Sequence, residues 1–342
     1  MKPVVKKILT AGGLLCGATA ISGAVSYAIA KKLVALALDR GENLPTSQIP
    51  SANAPALLAF AKLREKAAKE LERTPNETVE IAAWDGTPLV GHWIPAPNAK
   101  RVLIAMHGWR SSWSRDFGLL ANFLKENDCS VLYAEQRGQN NSGGDYMGFG
   151  LAERFDCLNW IDWVSWTNEK NCSNLPIYLC GVSMGASTVL MSSALDLPKT
   201  VHGIIADCGY TSPQAIWRHV AQTNLHIPYD KWMSELIDAI CQDRIHFCST
   251  DYSCTEALAE SRVPVLFIHG TDDPFVPVEM TYENYKACAS PKRLLIVPGA
   301  EHGMSYIVDQ KLYEQTLLQF WHDYDETPMP AGKKRTITSP CS

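Results

Sequence analysis

The sequence has no basic excess. It carries 31 Lys+Arg against 36 Asp+Glu, a net charge of −5. No positive field is available to hold a phosphate backbone, so nucleic acid is not an expected partner. The paired C-x-x-C spacing of a zinc site, a Gly-rich phosphate loop, internal repeats and low-complexity tracts are also lacking. Neither a cofactor nor a metal is therefore expected. The cysteine count is odd, 11 on a chain of 342 residues. A disulfide framework wants an even count on a short chain, so most of these thiols are expected to be free and buried. What is present is the balance of an ordinary globular protein, 46% hydrophobic and 20% charged residues. That balance excludes a disordered, collagen-like or polytopic membrane chain. The length fits one large α/β domain or two small domains.

One apolar run stands apart. Between Lys7 and Lys31 the residues Ile8–Ala30 carry no charge, and about 20 residues suffice to span a hydrocarbon core. Gly12, Gly13, Gly17, Gly23, Ser22 and Ser26 dilute its hydrophobicity. The segment 1–40 is expected to be a single membrane anchor. The alternatives are a secretory signal cut after Ala28-Ile29-Ala30, giving a secreted protein, and a buried soluble helix. Lys2, Lys6 and Lys7 oppose Lys31, Lys32 and Arg40, a near tie that the terminal amino group tips toward an inside N-terminus. The expected location is the cell membrane, with a single pass and the main domain outside.

Pro45, Pro50 and Pro55 mark a linker, and Leu57, Phe60, Arg64, Ala67 and Leu71 follow helical spacing, so 41–75 reads as a linker and an amphipathic helix. From Thr78 the pattern changes. Val79, Ile81 and Ala83 alternate, Asp85-Gly86 turns, and Leu89–Ile94 returns as a hairpin. Short apolar runs then alternate with longer amphipathic ones. The runs Val102–Met106, Ser130–Ala134, Ile177–Cys180, Gly203–Ala206, Val263–Ile268 and Leu294–Val297 are the expected strands. Phe117–Lys125, Ala152–Trp166, Met184–Ala194, Val278–Cys288 and Ser305–Asp323 are the expected helices. Such alternation predicts an α/β domain over 76–325, a mostly parallel sheet with helices on both faces. The tail 326–342 is expected to be flexible.

Gly181-Val182-Ser183-Met184-Gly185 sits between a strand and a helix. This is G-x-S-x-G in the setting that its chemistry requires: glycines flank a sharp turn that thrusts the serine hydroxyl to the carboxyl end of the sheet. A serine hydroxyl is a poor nucleophile until a base takes its proton. In this architecture the chain order is Ser, acid, His. His302, just past the strand that ends at Val297, is the candidate base, whereas His322 lies inside the last helix. The acid lies in His269-Gly270-Thr271-Asp272-Asp273; spacing from the glycine selects Asp273 over Asp272. His269 reads as structural. The oxyanion needs preorganised N–H donors. Met184 supplies one and Trp109, after Gly108 in His107-Gly108-Trp109-Arg110, supplies the other.

These motifs, with His107–Ser112 and Ala134-Glu135-Gln136-Arg137-Gly138-Gln139-Asn140-Asn141-Ser142-Gly143-Gly144, resemble an α/β-hydrolase of the serine-aminopeptidase-like or bacterial esterase-like kind over roughly 76–323. The last segment departs from the D-x-R-G-H-G-x-S-x-G loop of that family at Glu135, Gln139 and Asn140, positions expected to carry no chemistry. The resemblance implies a serine hydrolase cutting a small-molecule or peptide acyl substrate through an acyl-Ser183 intermediate. A peptidase, an acyltransferase and a non-catalytic binding module are the alternatives. About 55 residues separate Asp207 from Val263, where this fold needs one helix, so a small helical cap is expected over 210–262. Trp113, Trp217 and Trp232, with Trp109, are candidate walls of an acyl pocket.

Overall fold

The structure, a computed structural model, describes residues 23–41, 54–171 and 173–326. A hairpin of β1 (Glu77–Ala82) and β2 (Pro88–Ile94) leads into β3 (Arg101–Met106), β4 (Cys129–Ala134), β5 (Ile177–Val182), β6 (Val201–Asp207), β7 (Val265–Gly270) and β8 (Lys292–Val297). The sheet order is β1-β2-β4-β3-β5-β6-β7-β8, antiparallel at β1, β2 and β4 and parallel from β4 onward. Every residue of β3, β4 and β7 is buried. That is why these strands read as unbroken apolar runs: both faces are covered. Side chains alternate between two cores. Val102, Ile104 and Met106 enter one, and Leu103 and Ala105 the other.

The helices follow the alternation. They are α2 (Ala54–Glu72), α3 (Trp113–Glu126), α4 (Glu153–Lys170), α5 (Met184–Ser192), α6 (Pro213–His219), α7 (Lys231–Ile245), α8 (Cys254–Glu260), α9 (Val278–Ala287), α10 (Ser305–Val308) and α11 (Gln310–Tyr324), with α1 denoting the helical residues 23–38. Helix α2 buries Phe60, Ala68 and Leu71. It lies close on α3 because Gly118 has no side chain: a Cβ there would stand 2.7 Å from the Ala67 carbonyl carbon. The stretch expected as one helix over Ser305–Asp323 is two. Asp309 breaks it, and its carboxylate accepts the Leu312 N–H at 3.0 Å as the N-cap of α11. Helices α6, α7 and α8 all lie between β6 and β7, where the cap is expected. The eight cysteines of the described residues are free, and all but Cys248 are buried.

Of the N-terminal segment, the structure describes residues 23–41. Helix α1 does not end at Ala30 but runs through Lys31 and Lys32 to residue 38. Ala30, Val34 and Leu38 are buried, one turn apart, in the same core as α4 and α5. No helix among the described residues is long and apolar enough to cross a membrane. The remainder of the apolar run, residues 8–22, and the tail 327–342 lie outside the described residues.

The end of α1 is joined to the domain through its backbone. The last four carbonyls of a helix have no partner within it. Here Leu36 O accepts from Arg110 Nη2 at 3.1 Å, Ala37 O from the Trp109 indole N–H at 2.9 Å and Leu38 O from Met147 N–H at 2.7 Å, while Ala35 O takes Asp39 N–H at 3.1 Å. Asp39 pairs with Arg244, and Arg40 donates to the carbonyls of Asn140, Ser142 and Gly144. Cations at a helix C-terminus also meet the negative end of its dipole.

Candidate active site

Ser183 follows β5 directly and is the residue before α5. Its φ of 55° and ψ of −117° place a side-chain-bearing residue where few are found. The turn is held by Ser183 N–H donating to Asp207 O at 2.8 Å. It exists only because glycines flank it. A Cβ on Gly181 would sit 2.2 Å from Gly185 O, and one on Gly185 would sit 1.9 Å from Met106 O.

The loops after β7 and β8 converge on this serine. His302 Nε2 lies 2.9 Å from Ser183 Oγ, and His302 Nδ1 lies 2.6 Å from Asp273 Oδ2. The other oxygen of Asp273 accepts the N–H groups of Phe275 and Val276, each at 2.9 Å. His269, buried at the end of β7, faces the same carboxylate at 3.1 Å and Thr281 Oγ1 at 2.6 Å. It fixes the acid, as its structural reading expects. Asp272 is exposed and accepts only a short local bond from Thr271 Oγ1 at 2.7 Å. His322 is exposed on α11.

Burial alone would raise the Asp273 carboxyl, but His302 and His269 hold it well below the usual range. Burial pulls the His302 imidazole down, and the Asp273 carboxylate more than offsets this, raising it well above 6.5. A base must be unprotonated to act. Activity is therefore expected to rise with pH through a midpoint above 6.5, later than for an unperturbed histidine. A kcat/KM profile against pH checks this; a flat profile between about pH 5 and 8 removes His302 as the base.

Two further residues stand against the row, both unsuspected in the sequence. Asp207, at the end of β6, is buried and pushed up to about 6 by burial, with Ser305 Oγ at 3.3 Å and Tyr313 OH at 3.2 Å as donors. Cys208 follows it with a φ of 49°, its buried thiol within 4.8 Å of a ring nitrogen of His302 and pushed up to about 11 by burial. The signal for both was position alone, the carboxyl end of a central parallel strand. Cys208, Asp273 and His302 place three donor atoms within 4.8 Å of one another, a grouping able to hold a cation. Its histidine and carboxylate are already bonded to each other.

The turn His107–Ser112 passes directly beside the serine: a Cβ on Gly108 would meet Ser183 Cβ at 3.3 Å. Gly108 N–H is taken by Asp116 Oδ2 at 2.6 Å, so this amide already has a partner. Asp116 is itself fixed by Arg64 of α2 and by Ser111 Oγ at 2.6 Å. His107 bonds within the turn, Nδ1 to Gly108 O at 2.8 Å. The segment 135–142, whose departures from the family loop are expected to carry no chemistry, braces this turn. Gln139 Oε1 accepts Arg110 N–H at 2.6 Å, and Asn140 Nδ2 donates to Ser111 O at 2.9 Å. Glu135 is buried against His92 at 2.8 Å.

Beside the site lies a cavity of about 520 Å³ including its open mouth, and no charged side chain lines it. Its inner wall is Trp109 and Phe275, stacked with centroids 6.3 Å apart, and Phe275 in turn meets the His302 ring at 5.2 Å. Of the three tryptophans proposed for such a pocket, only Trp217 lines it, edge-on to Phe149 at 5.2 Å. Trp113 stacks on His92 at 4.3 Å inside the opposite core, and Trp232 is exposed on the outer face of the cap. Both readings are corrected. Trp232 stands at a helical spacing, which does not tell which face meets the serine, and Trp113 lies ahead of the helix expected at Phe117–Lys125.

The sequence profile of the prolyl oligopeptidase family matches residues 115–326. The uncharacterized YqkD of Bacillus subtilis (strain 168) is 26% identical over 260 residues, 76% of this chain and 83% of that protein. Among solved structures, the Pyrococcus furiosus esterase Pf2001 superposes with a TM-score of 0.60 at 21% identity, over 83% of this chain and 98% of the other. A puromycin-hydrolyzing peptidase of Mycobacterium tuberculosis gives 0.57 at 16% identity, over 73% of this chain and 39% of that one.

Proposed function

Because the chain belongs to the prolyl oligopeptidase family and is a serine hydrolase of the α/β-hydrolase superfamily, we propose that it cleaves a carboxylic ester or thioester through an acyl intermediate on Ser183. The observation that carries this is the hydrogen-bonded row Ser183–His302–Asp273. His302 takes the Ser183 proton as Oγ attacks the carbonyl carbon. The tetrahedral oxyanion is held by the N–H groups of Trp109 and Met184, the second of which opens α5, where the helix dipole favours negative charge. His302 returns the proton to the departing alcohol or thiol. Water then attacks the acyl carbon as His302 takes its proton, and His302 passes that proton to Ser183 Oγ as the acyl–Oγ bond breaks, releasing the acid and free Ser183. Asp273 holds the imidazole with Nδ1 toward itself and stabilises the imidazolium without taking the proton.

Aminoacyl-amide cleavage is the second reading, favoured by the family match. An aminopeptidase must hold a cationic amine. The cavity beside Trp109 has no carboxylate in its lining, which favours an uncharged acyl group. The test is labelling of the full chain with a small fluorophosphonate and location of the adduct by mass spectrometry. The expected result is an adduct on Ser183 that is lost in His302→Ala. A folded protein without an adduct removes the acyl-enzyme and moves a non-catalytic binding role to the front.

A further inference from the structure

We propose that α1 is part of the substrate site: together with the cap it encloses a subsite for an unbranched aliphatic acyl chain. This rests on the acyl-Ser183 reading and extends it to a substrate class. Three observations carry it.

The first is the wall. Leu33, Val34, Leu36 and Ala37 of α1 line the cavity opposite Trp217 and Val220 of the cap. The second is continuity with the chemistry. The inner wall is the Trp109–Phe275 pair, and Trp109 lies in the turn beside Ser183 while Phe275 touches His302. A chain that leaves an acyl carbon on Ser183 Oγ and passes these rings enters a lining that is apolar apart from the Tyr229 hydroxyl and the indole N–H groups. The third is the joint between α1 and the turn. The Trp109 indole and the Arg110 guanidinium, neighbours in that turn, donate to Ala37 O and Leu36 O. One pair of residues thus carries an N–H assigned to the oxyanion and holds the helix that walls the subsite. Chain binding and oxyanion geometry are coupled through it.

The lining selects the occupant. A charged acyl group would lose its water with no counter-ion there, since no charged side chain lines the cavity. Each methylene buried is worth about 0.8 kcal/mol, a factor of about four in kcat/KM.

The test uses the full chain in detergent with p-nitrophenyl acetate and p-nitrophenyl octanoate. For wild type, kcat/KM is expected to rise by up to about fourfold for each methylene taken into the cavity. Leu36 is 41% exposed at the rim, so Leu36→Glu leaves the helix packing in place and sets a charge on the path of the chain. Ala37→Phe fills the cavity from the same wall. In each variant the octanoate-to-acetate ratio of kcat/KM is expected to fall at least about tenfold, as when a methylene-sized mismatch is imposed on an apolar pocket. A wild-type ratio near one, or a ratio that neither variant moves, overturns the proposal. Absence of both ester turnover and fluorophosphonate adduct in folded wild type overturns the acyl-Ser183 reading, and the subsite with it.

Discussion

Ser183→Ala is expected to lower kcat by about 10⁶-fold while the protein stays folded. The size follows from the removal of the attacking atom: what remains is the oxyanion donors and binding, about 10³–10⁴-fold over water. The fold should survive because Oγ has His302 Nε2 as its bonded partner, and alanine meets the same φ of 55° that serine does. Steady-state turnover of a p-nitrophenyl ester and a thermal melt on the same preparation check both halves. Turnover near wild type would remove Ser183 from the mechanism. Lost activity with a large drop in melting temperature would report unfolding rather than chemistry.

Asp273→Asn is expected to lower kcat by about 10⁴-fold, and Asp272→Asn to leave it nearly unchanged. The two aspartates are adjacent, so composition and loop position do not distinguish them; their partners do. Asp273 is buried, takes two backbone N–H groups and faces both His302 and His269. An amide there can present its NH₂ to His302 and favour the wrong tautomer, leaving Nε2 unable to accept the serine proton. Asp272 is exposed, with a hydroxyl neighbour as its bonded partner. The same pair of variants should separate in their pH profiles, because the carboxylate that raises His302 is lost only in Asp273→Asn. A larger loss from Asp272→Asn would reassign the acid.

The row of three was legible because each member is announced by its neighbours. Glycines around Ser183 signal a turn that no side chain could pass, and the acid and base follow strands whose apolar runs are continuous. The sheet was legible for the same reason. Three things were not. Helix α1 buries Ala30, Val34 and Leu38 on one face, but Val25, Tyr27 and Leu36 on its exposed faces are apolar too, so no stripe stands out against the run. Trp113 and Trp217 both sit on helices at the carboxyl side of strands; only tertiary packing puts one in the opposite core and the other in the cavity. The bracing by Gln139 and Asn140 came from residues that depart from the family loop, and a departure signals nothing about what the new side chain touches.

The joint between α1 and the domain has a consequence for how the protein is made. Asp39 meets Arg244 across 205 positions of sequence, and Ala37 meets Trp109 across 72. During synthesis α1 leaves the ribosome before any of these partners exists. Long-range closures of this kind are slow because the intervening chain must order first. The sheet can form while α1 waits, but the turn that carries Trp109 has its indole partner only once the helix docks. The contacts that join the Trp109 turn to the start of the chain are thus completed only when the first helix returns to a sheet made of later sequence.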